Sequence, residues 1–313
     1  MRIIIFAGKG GVGKTISAAS LALFLADQGE NTIIIDYDKG HRVARTLGLE
    51  YFIPDNEILQ VYPNLSVVII ESPEYINITR SKEKGIRLDR YLSQFPEDTG
   101  IVPLPDMMFE FWGAPFDIPE IHKFTLLVRT LSTLGGKNFA NVIIDVEPTA
   151  GLERLLLKAD VMVKSLANLR SKGILLLTMM GTGRWPDVTG YIKSDYIRQS
   201  SKYAKNIELA MALLKNAFYF IVCIPESGPV EQAFEIKEII ERFGGKIYGV
   251  VVNNIRGEES EAHNIRLLQD MHHPMKFVHR KSEIHIPHVS TEVLTQILRK
   301  IGKTLYPLFG QDS

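Results

Sequence analysis

The sequence predicts an α/β fold: a doubly wound, mostly parallel sheet with helices on both faces, interrupted by helical insertions. Three observations carry this reading. Short β-branched runs alternate with helical patterns along the chain. Most of these runs are apolar without in-out alternation, as expected of strands covered on both faces. The first run ends in a glycine-rich turn that leads straight into a helical pattern, and such alternation implies parallel strands joined by right-handed crossovers.

Taken in order, the unit opens with a strand over Arg2–Ala7 (Arg-Ile-Ile-Ile-Phe-Ala) and a helix over Lys14–Gln28. Further strands are expected at Asn31–Asp36, Leu65–Ile70, Asn141–Asp145, Phe218–Ile224, Lys246–Asn253 and Met275–Val278. Helical stretches are expected at Ile121–Leu134, Val230–Phe243 and Glu292–Leu305. The rhythm breaks twice, from about 76 to 119 and from about 152 to 216, the second break reading as largely helical. The 313 residues therefore read as a single domain, 1–313, carrying insertions at 76–119 and 152–216, rather than as two independent domains.

Composition narrows the function. Thirty-six Lys and Arg against thirty-six Asp and Glu give zero formal charge, which argues against a nucleic-acid binder working by bulk charge. The single cysteine, Cys223, cannot form an intramolecular disulfide, an iron–sulfur cluster or a cysteine-rich zinc site within one chain. The apolar run after Met1 and Arg2 is too short for a signal-peptide core, and no run reaches the roughly 18 apolar residues of a spanning helix. A cytoplasmic protein is expected.

The turn after the first strand reads Gly8-Lys9-Gly10-Gly11-Val12-Gly13-Lys14-Thr15. This is G-x-x-x-x-G-K-[ST], between a strand and a helix, the context that a phosphate-binding loop requires. Glycines permit a tight loop whose N–H groups face a triphosphate, and the helix N-terminus adds a favourable dipole. Lys14 is expected to reach the β- and γ-phosphates, and the Thr15 hydroxyl to sit on Mg²⁺. Gly8, Gly10, Gly11, Val12, Gly13, Lys14, Thr15 and Ile16 are the candidate nucleotide-binding residues of this segment.

A second lysine inside the loop, Lys9, makes the motif resemble the deviant Walker A group, which includes ParA, MinD, nitrogenase iron proteins and ArsA. That resemblance implies a P-loop nucleotidase acting as a homodimer, with Lys9 reaching the nucleotide of the opposite subunit and stabilising transition-state charge there. The segment Asp36-Tyr37-Asp38-Lys39-Gly40-His41-Arg42-Val43-Ala44-Arg45 is similar to the first switch, D-P-A-H-S-L-x-D, of ArsA/GET-type ATPases, the family of the arsenical pump and of the tail-anchored-protein targeting factors. In that alignment Asp38 takes the place of the water-polarising aspartate and His41 that of the histidine. Arg42 and Arg45 stand where the family has Ser or Asn and Asp. Asp36, at the strand end, either supports Mg²⁺ through water or caps the loop. Asp145 ends its strand as a Walker B aspartate would, holding Mg²⁺ directly or through water. The residues that follow, Pro148-Thr149-Ala150-Gly151-Leu152-Glu153-Arg154-Leu155-Leu156, resemble the family's second switch.

Further along, Ile224-Pro225-Glu226 with Glu231 resembles the family's V-x-x-P-E segment, and Val250-Val251-Val252-Asn253-Asn254 its V-V-N-Q. The resemblance implies adenine recognition by Asn253, with Asn254 at the Gln position. An amide can donate and accept at once, which suits the adenine edge.

The resemblance to the ArsA/GET-type family implies an ATP hydrolase with ATP and Mg²⁺ as ligands, its catalytic residues being Lys9, Lys14 and Asp38, its metal residues Thr15, Asp145 and Asp36. It implies a nucleotide-switched homodimer serving a hydrophobic or membrane-protein client. Met107–Phe116 and Ile174–Met180 are rich in Met, aromatic or aliphatic residues; each either receives such a client or packs an insertion onto the core. The alternative is a MinD/ParA-like ATPase for spatial positioning at membranes. Val293, Leu294, Ile297, Leu298, Ile301 and Leu305 form a helical stripe that would serve either peripheral membrane contact or packing on the body of the fold, the second being favoured. His272, His273, His279, His285 and His288 fit no metal-binding spacing.

Overall fold

The computed structural model describes residues 1–38, 41–49, 53–71, 118–156, 205–271, 275–279 and 291–308. The chain divides into two compact units, one made of 1–71, 134–156 and 213–313, the other of 72–133 and 157–212. In the second unit the described stretches, 118–133 and 205–212, are helical. Met107–Phe116, Ile174–Met180, and residues 272, 273, 285 and 288 lie outside the described residues.

The first unit is built on an eight-stranded sheet: β1 (Arg2–Ala7), β2 (Thr32–Tyr37), β3 (Leu59–Tyr62), β4 (Leu65–Ile69), β5 (Asn141–Val146), β6 (Phe218–Cys223), β7 (Lys246–Ile255) and β8 (Met275–His279). Their spatial order is β3-β4-β2-β5-β1-β6-β7-β8. Every pairing is parallel except β3 with β4. The doubly wound fold expected from the sequence is thus what the chain adopts. The chain leaves β1 toward one edge of the sheet and crosses back past it at β6, which places a ligand crevice at the carboxyl ends of β1, β5 and β6. β2 and β5 are buried at every position, so their runs of Ile and Val carry no alternation to read.

The sequence reading missed β3. It is a four-residue edge strand with no fully buried side chain and a bulge between Gln60 and Tyr62, so it lacks both the length and the apolar run that mark the others. It joins β4 through Pro63-Asn64, with Asn64 at φ 59, a turn whose asparagine tolerates the left-handed region.

The described helices are α1 (Lys14–Asp27), α2 (Arg42–Thr46), α3 (Ile118–Leu134), α4 (149–156), α5 (205–215), α6 (Ser227–Phe243), α7 (Glu259–Met271) and α8 (Thr291–Leu305). α6 begins three residues before its predicted start. Pro229 stands in its first turn, where the missing N–H would find no intrahelical partner anyway. α3 likewise starts at Ile118 rather than Ile121, with Pro119 as its second residue.

α8 settles the apolar stripe. Leu294, Leu298 and Leu305 are buried in one cluster with Leu21 and Leu25 of α1, and Ile301 packs against it. Gly302 lies so close to α1 that a Cβ there would stand 2.2 Å from the Ser20 carbonyl oxygen. Arg299 donates from Nε to Asp27 at 2.6 Å and from Nη2 at 3.1 Å, and the Phe24 and Tyr306 rings meet at 5.2 Å between centroids. Leu294, Leu298, Ile301 and Leu305 of the stripe are therefore spent on packing in this cluster with α1. Among the described residues no helix is long and apolar enough to cross a membrane.

Candidate active site

The site grows from the loop between β1 and α1. Two of its glycines are demanded by their neighbours. A Cβ on Gly8 would sit 2.3 Å from the Val222 carbonyl oxygen of β6, and Gly13, at φ 100, would drive one to 2.3 Å from the Asn253 amide nitrogen. A side chain at either position would have to displace what it meets. Val12 is buried, Ile16 packs against the core, and the exposed Gly10 lies beside Pro148. Lys14 turns back over the loop and donates to the Lys9 carbonyl at 3.0 Å, while Ser17 donates its hydroxyl to the Gly13 carbonyl at 3.0 Å. These bonds hold the loop as a closed ring of backbone at the start of α1.

Lys14 is 5 % exposed, and this burial holds its ammonium below the ordinary lysine range, with Arg42 acting in the same direction and Asp145 and Asp38 opposing it. Lys9 goes elsewhere: its Nζ lies 3.4 Å from where a Cβ on Gly228 would stand, in the first turn of α6. The loop's two lysines therefore serve different neighbours.

Three carboxylates gather at the ends of β2 and β5. Asp36 and Asp145 face one another in the strand register. Asp145 is completely buried, and neither of its oxygens has a hydrogen-bond partner in normal geometry. Desolvation pushes its pKa up to about 7; the nearby Thr15 hydroxyl and Lys14 pull the other way, while Asp36 and Asp38 push further up. A buried carboxylate with orphaned oxygens beside a threonine hydroxyl has the chemistry of a cation ligand. Among the described residues no three His, Cys, Asp or Glu side chains could hold a metal unaided, so an ion here would share its coordination with phosphate and water, as Mg²⁺ does.

Asp36 shows the capping alternative in detail. Its Oδ1 accepts from the Asp38 N–H at 3.2 Å and its Oδ2 from the Val43 N–H at 3.1 Å. One carboxylate thus fixes both ends of the first switch-like segment. Asp38 is 4 % exposed and its Oδ2 pairs with Arg42 Nη1 at 3.0 Å. His41 caps α2 from the left-handed region, at φ 53, with its Nε2 3.3 Å from Asp55 Oδ1.

On the other flank of the loop, α4 begins beside Pro148. Glu147 and Arg154 pair at 3.4 Å, and Arg154 donates from Nε to the Ala150 carbonyl at 3.0 Å. A Cβ at Gly151 would stand 2.2 Å from the Glu147 Cβ, so the glycine lets the helix start tightly against its own lead-in.

Asn253 of β7 donates its amide to the Val12 carbonyl at 2.9 Å, tying the segment expected to recognise adenine to the loop expected to hold phosphate. Asn254 follows at φ 53. Two residues of α7 escaped the sequence reading. The Glu261 carboxylate accepts from the N–H groups of Arg256, Gly257 and Glu258, at 2.8 to 3.2 Å; burial opposes its ionisation, but these three bonds and Arg256 hold its pKa below the usual value. Asn264, one turn on, donates to the Pro225 carbonyl at 3.1 Å. Together they pin the loops that follow β6 and β7. A glutamate at the third helical position, reaching back to the N-cap N–H, is half of a capping box, so Glu261 had a readable signal. Cys223 is buried in β6, its thiol pushed up to about 12, chiefly by burial.

Comparison with known proteins agrees with this geometry. Residues 1–294 match the anion-transporting ATPase family, ArsA ATPase. Similar proteins include "ATPase get3" of Pyrenophora tritici-repentis, 25 % identical over 82 % of this chain and 74 % of that one. The "Putative arsenical pump-driving ATPase 2" of Aquifex aeolicus is 20 % identical over 83 % of this chain and 82 % of its own length. The "ATPase ASNA1 homolog" of Plasmodium vivax is 25 % identical over 80 % of this chain and 63 % of its own. With a phosphate loop, a strand-end aspartate and a match over nearly its whole described length, the chain belongs to the ArsA family of anion-transporting ATPases and is an ATP hydrolase.

Proposed function

We propose that this chain is a Mg²⁺-dependent ATPase that works as a nucleotide-switched homodimer on a hydrophobic or membrane-protein client. The observation that carries the metal and hydrolysis part is Asp145: a fully buried carboxylate with orphaned oxygens, beside Thr15 and Lys14 and within the electrostatic reach of Asp38. Thr15 and Asp145 would hold Mg²⁺, which when bound neutralises phosphate charge as the β–γ bond breaks. The loop N–H groups and Lys14 bind and orient the triphosphate. Asp38 accepts a hydrogen bond from the attacking water and aligns it with the γ-phosphorus. Lys9 adds charge to the nucleotide of a second copy of the chain. Asn253 and Asn254 contact the base, with Asn253 also bracing the loop through Val12. The insertions at 76–119 and 152–216 are the parts that would meet a client, and closure of the dimer is the motion that would be passed to them. The protein works in the cytoplasm, with no nucleic-acid partner.

Phosphate release and light scattering test this reading. The wild type should hydrolyse ATP only with Mg²⁺ and should shift from monomer to dimer with a slowly hydrolysed analogue. Lys14→Ala should lose binding. Asp38→Asn should bind and dimerise but turn over about 10² to 10³ times more slowly, the scale of removing one group that acts in the transition state. Equal turnover in Asp38→Asn and wild type would remove Asp38 from the mechanism, and a monomer throughout would remove the dimer.

A further inference from the structure

We propose that Arg42 is a positioning residue for ATP hydrolysis: its guanidinium holds the Asp38 carboxylate beside the phosphate loop, in the orientation from which Asp38 aligns the attacking water. The inference rests on the role given to Asp38 above. Three features of the geometry carry it.

First, the pair is direct, with Arg42 Nη1 3.0 Å from Asp38 Oδ2, and it joins a nearly buried carboxylate to a half-exposed guanidinium. Second, its geometry is fixed from the main chain. Asp36 takes the N–H groups of Asp38 and of Val43, so the backbone on both sides of the pair is anchored to one carboxylate at the end of β2. Third, both charges lie within electrostatic reach of the site. Asp38 acts electrostatically on both Lys14 and Asp145, and Arg42 acts on Lys14. A latch that withdrew Asp38 from the loop would break those couplings.

The charge balance gives the reason for a second cation. Asp36, Asp38 and Asp145 crowd one end of the sheet, and Lys14 alone cannot balance three carboxylates in a low-dielectric setting. Arg42 adds a positive charge on the Asp38 side, and the charge contact at Oδ2 biases where the carboxylate sits. Because the arginine is half exposed, its truncation opens no cavity in the core, and the melting temperature reports what it costs to leave the nearly buried Asp38 without it.

The experiment compares wild type, Arg42→Ala and Arg42→Lys at saturating Mg²⁺, reading kcat and KM for ATP separately, with melting temperature as a control. Arg42→Ala should lower kcat about tenfold to a hundredfold, the effect of misplacing a reacting group by about an ångström, with KM within about twofold. Arg42→Lys should recover part of the loss. Millimolar guanidinium ion should restore turnover to Arg42→Ala but not to Arg42→Leu, whose side chain fills the space. Unchanged or faster turnover in Arg42→Ala overturns the proposal, the faster case marking the pair as a restraint on Asp38. So does an equal loss in all three variants without guanidinium rescue, which marks a structural role. A full effect of Arg42→Ala alongside unchanged turnover in Asp38→Asn also overturns it, since Arg42 would then act without Asp38. Wild-type-like turnover in Arg42→Ala with a dead Asp38→Asn sinks this inference alone and leaves the function above standing.

Discussion

Asp145 concentrates the tension in this protein. It is wholly buried, neither of its oxygens has a hydrogen-bond partner in normal geometry, and its pKa is pushed up to about 7, chiefly by desolvation. In the unfolded chain the same carboxyl ionises near 3.8. Between those values the folded state holds a proton that the unfolded state has released, so stability falls as pH rises from about 4 to 7 and stays at its lower level above. Without added Mg²⁺, Asp145→Asn should abolish that slope and raise the melting temperature at pH 8 by a few degrees, on the scale of about 1 kcal/mol or more. The same variant should lose Mg²⁺-dependent turnover. A thermal scan across pH checks the first outcome and phosphate release the second. Such a gain in stability with loss of activity is what a group strained for function produces. The tight turn between β1 and α1 was legible from spacing alone, because Gly8 and Gly13 stand where a side chain would meet Val222 and Asn253. The Arg42–Asp38 pair was not, although its i, i+4 spacing is that of a helical ion pair. The first-switch pattern that this segment resembles carries no arginine there, and a pattern does not record what a departure touches.

At the scale of elements, the pairing of α1 with α8 decides how firmly the loop's supporting helix is held. Two interactions compete for that role. The Arg299–Asp27 pair is bidentate but half exposed, and such pairs are worth about 0.2–1 kcal/mol. The close approach at Gly302 sets backbone of α1 within reach of any side chain placed there. Gly302→Val should therefore destabilise by about 1–3 kcal/mol through overpacking, and Arg299→Ala by less than about 1 kcal/mol; urea unfolding curves would rank them. If Arg299→Ala proved the more damaging, the ion pair rather than the packing would hold the helices together. The central strands were readable because burial on both faces leaves runs of Ile, Val and Phe with no in-out alternation. The edge strand β3 was not, since three half-buried residues and the exposed Gln60 look like loop. The apolar stripe of α8 was visible as a stripe, but periodicity says which face is covered and not by what.

For the whole molecule, nucleotide should act as a fold-stabilising ligand. At a concentration one hundred times its dissociation constant, Mg·ATP or a slowly hydrolysed analogue should add about 2.7 kcal/mol to the first unit. That appears as a rise in melting temperature absent from Lys14→Ala, measured by differential scanning fluorimetry. A second transition left unmoved by nucleotide would report the other compact unit, residues 72–133 and 157–212, melting on its own. The net charge of zero, read at first as an exclusion of nucleic-acid binding, looks different beside the site. Three carboxylates at the ends of β2 and β5 meet Lys14 and Arg42, so charges that cancel over the whole chain are concentrated at this site.

The contact between α1 and α8 also has a consequence in time. Asp27 and Arg299 are separated by 272 residues. A ribosome that has just finished the phosphate loop and its helix must translate that whole interval before the helix can bury Leu21 and Leu25 against Leu294 and Leu298. Until then the earliest helix of the chain shows an apolar face to the cell. The helix behind the loop is therefore fully covered only late in synthesis, when the distant helix closes over it, and a nascent chain halted before residue 291 should still be cut by protease within α1.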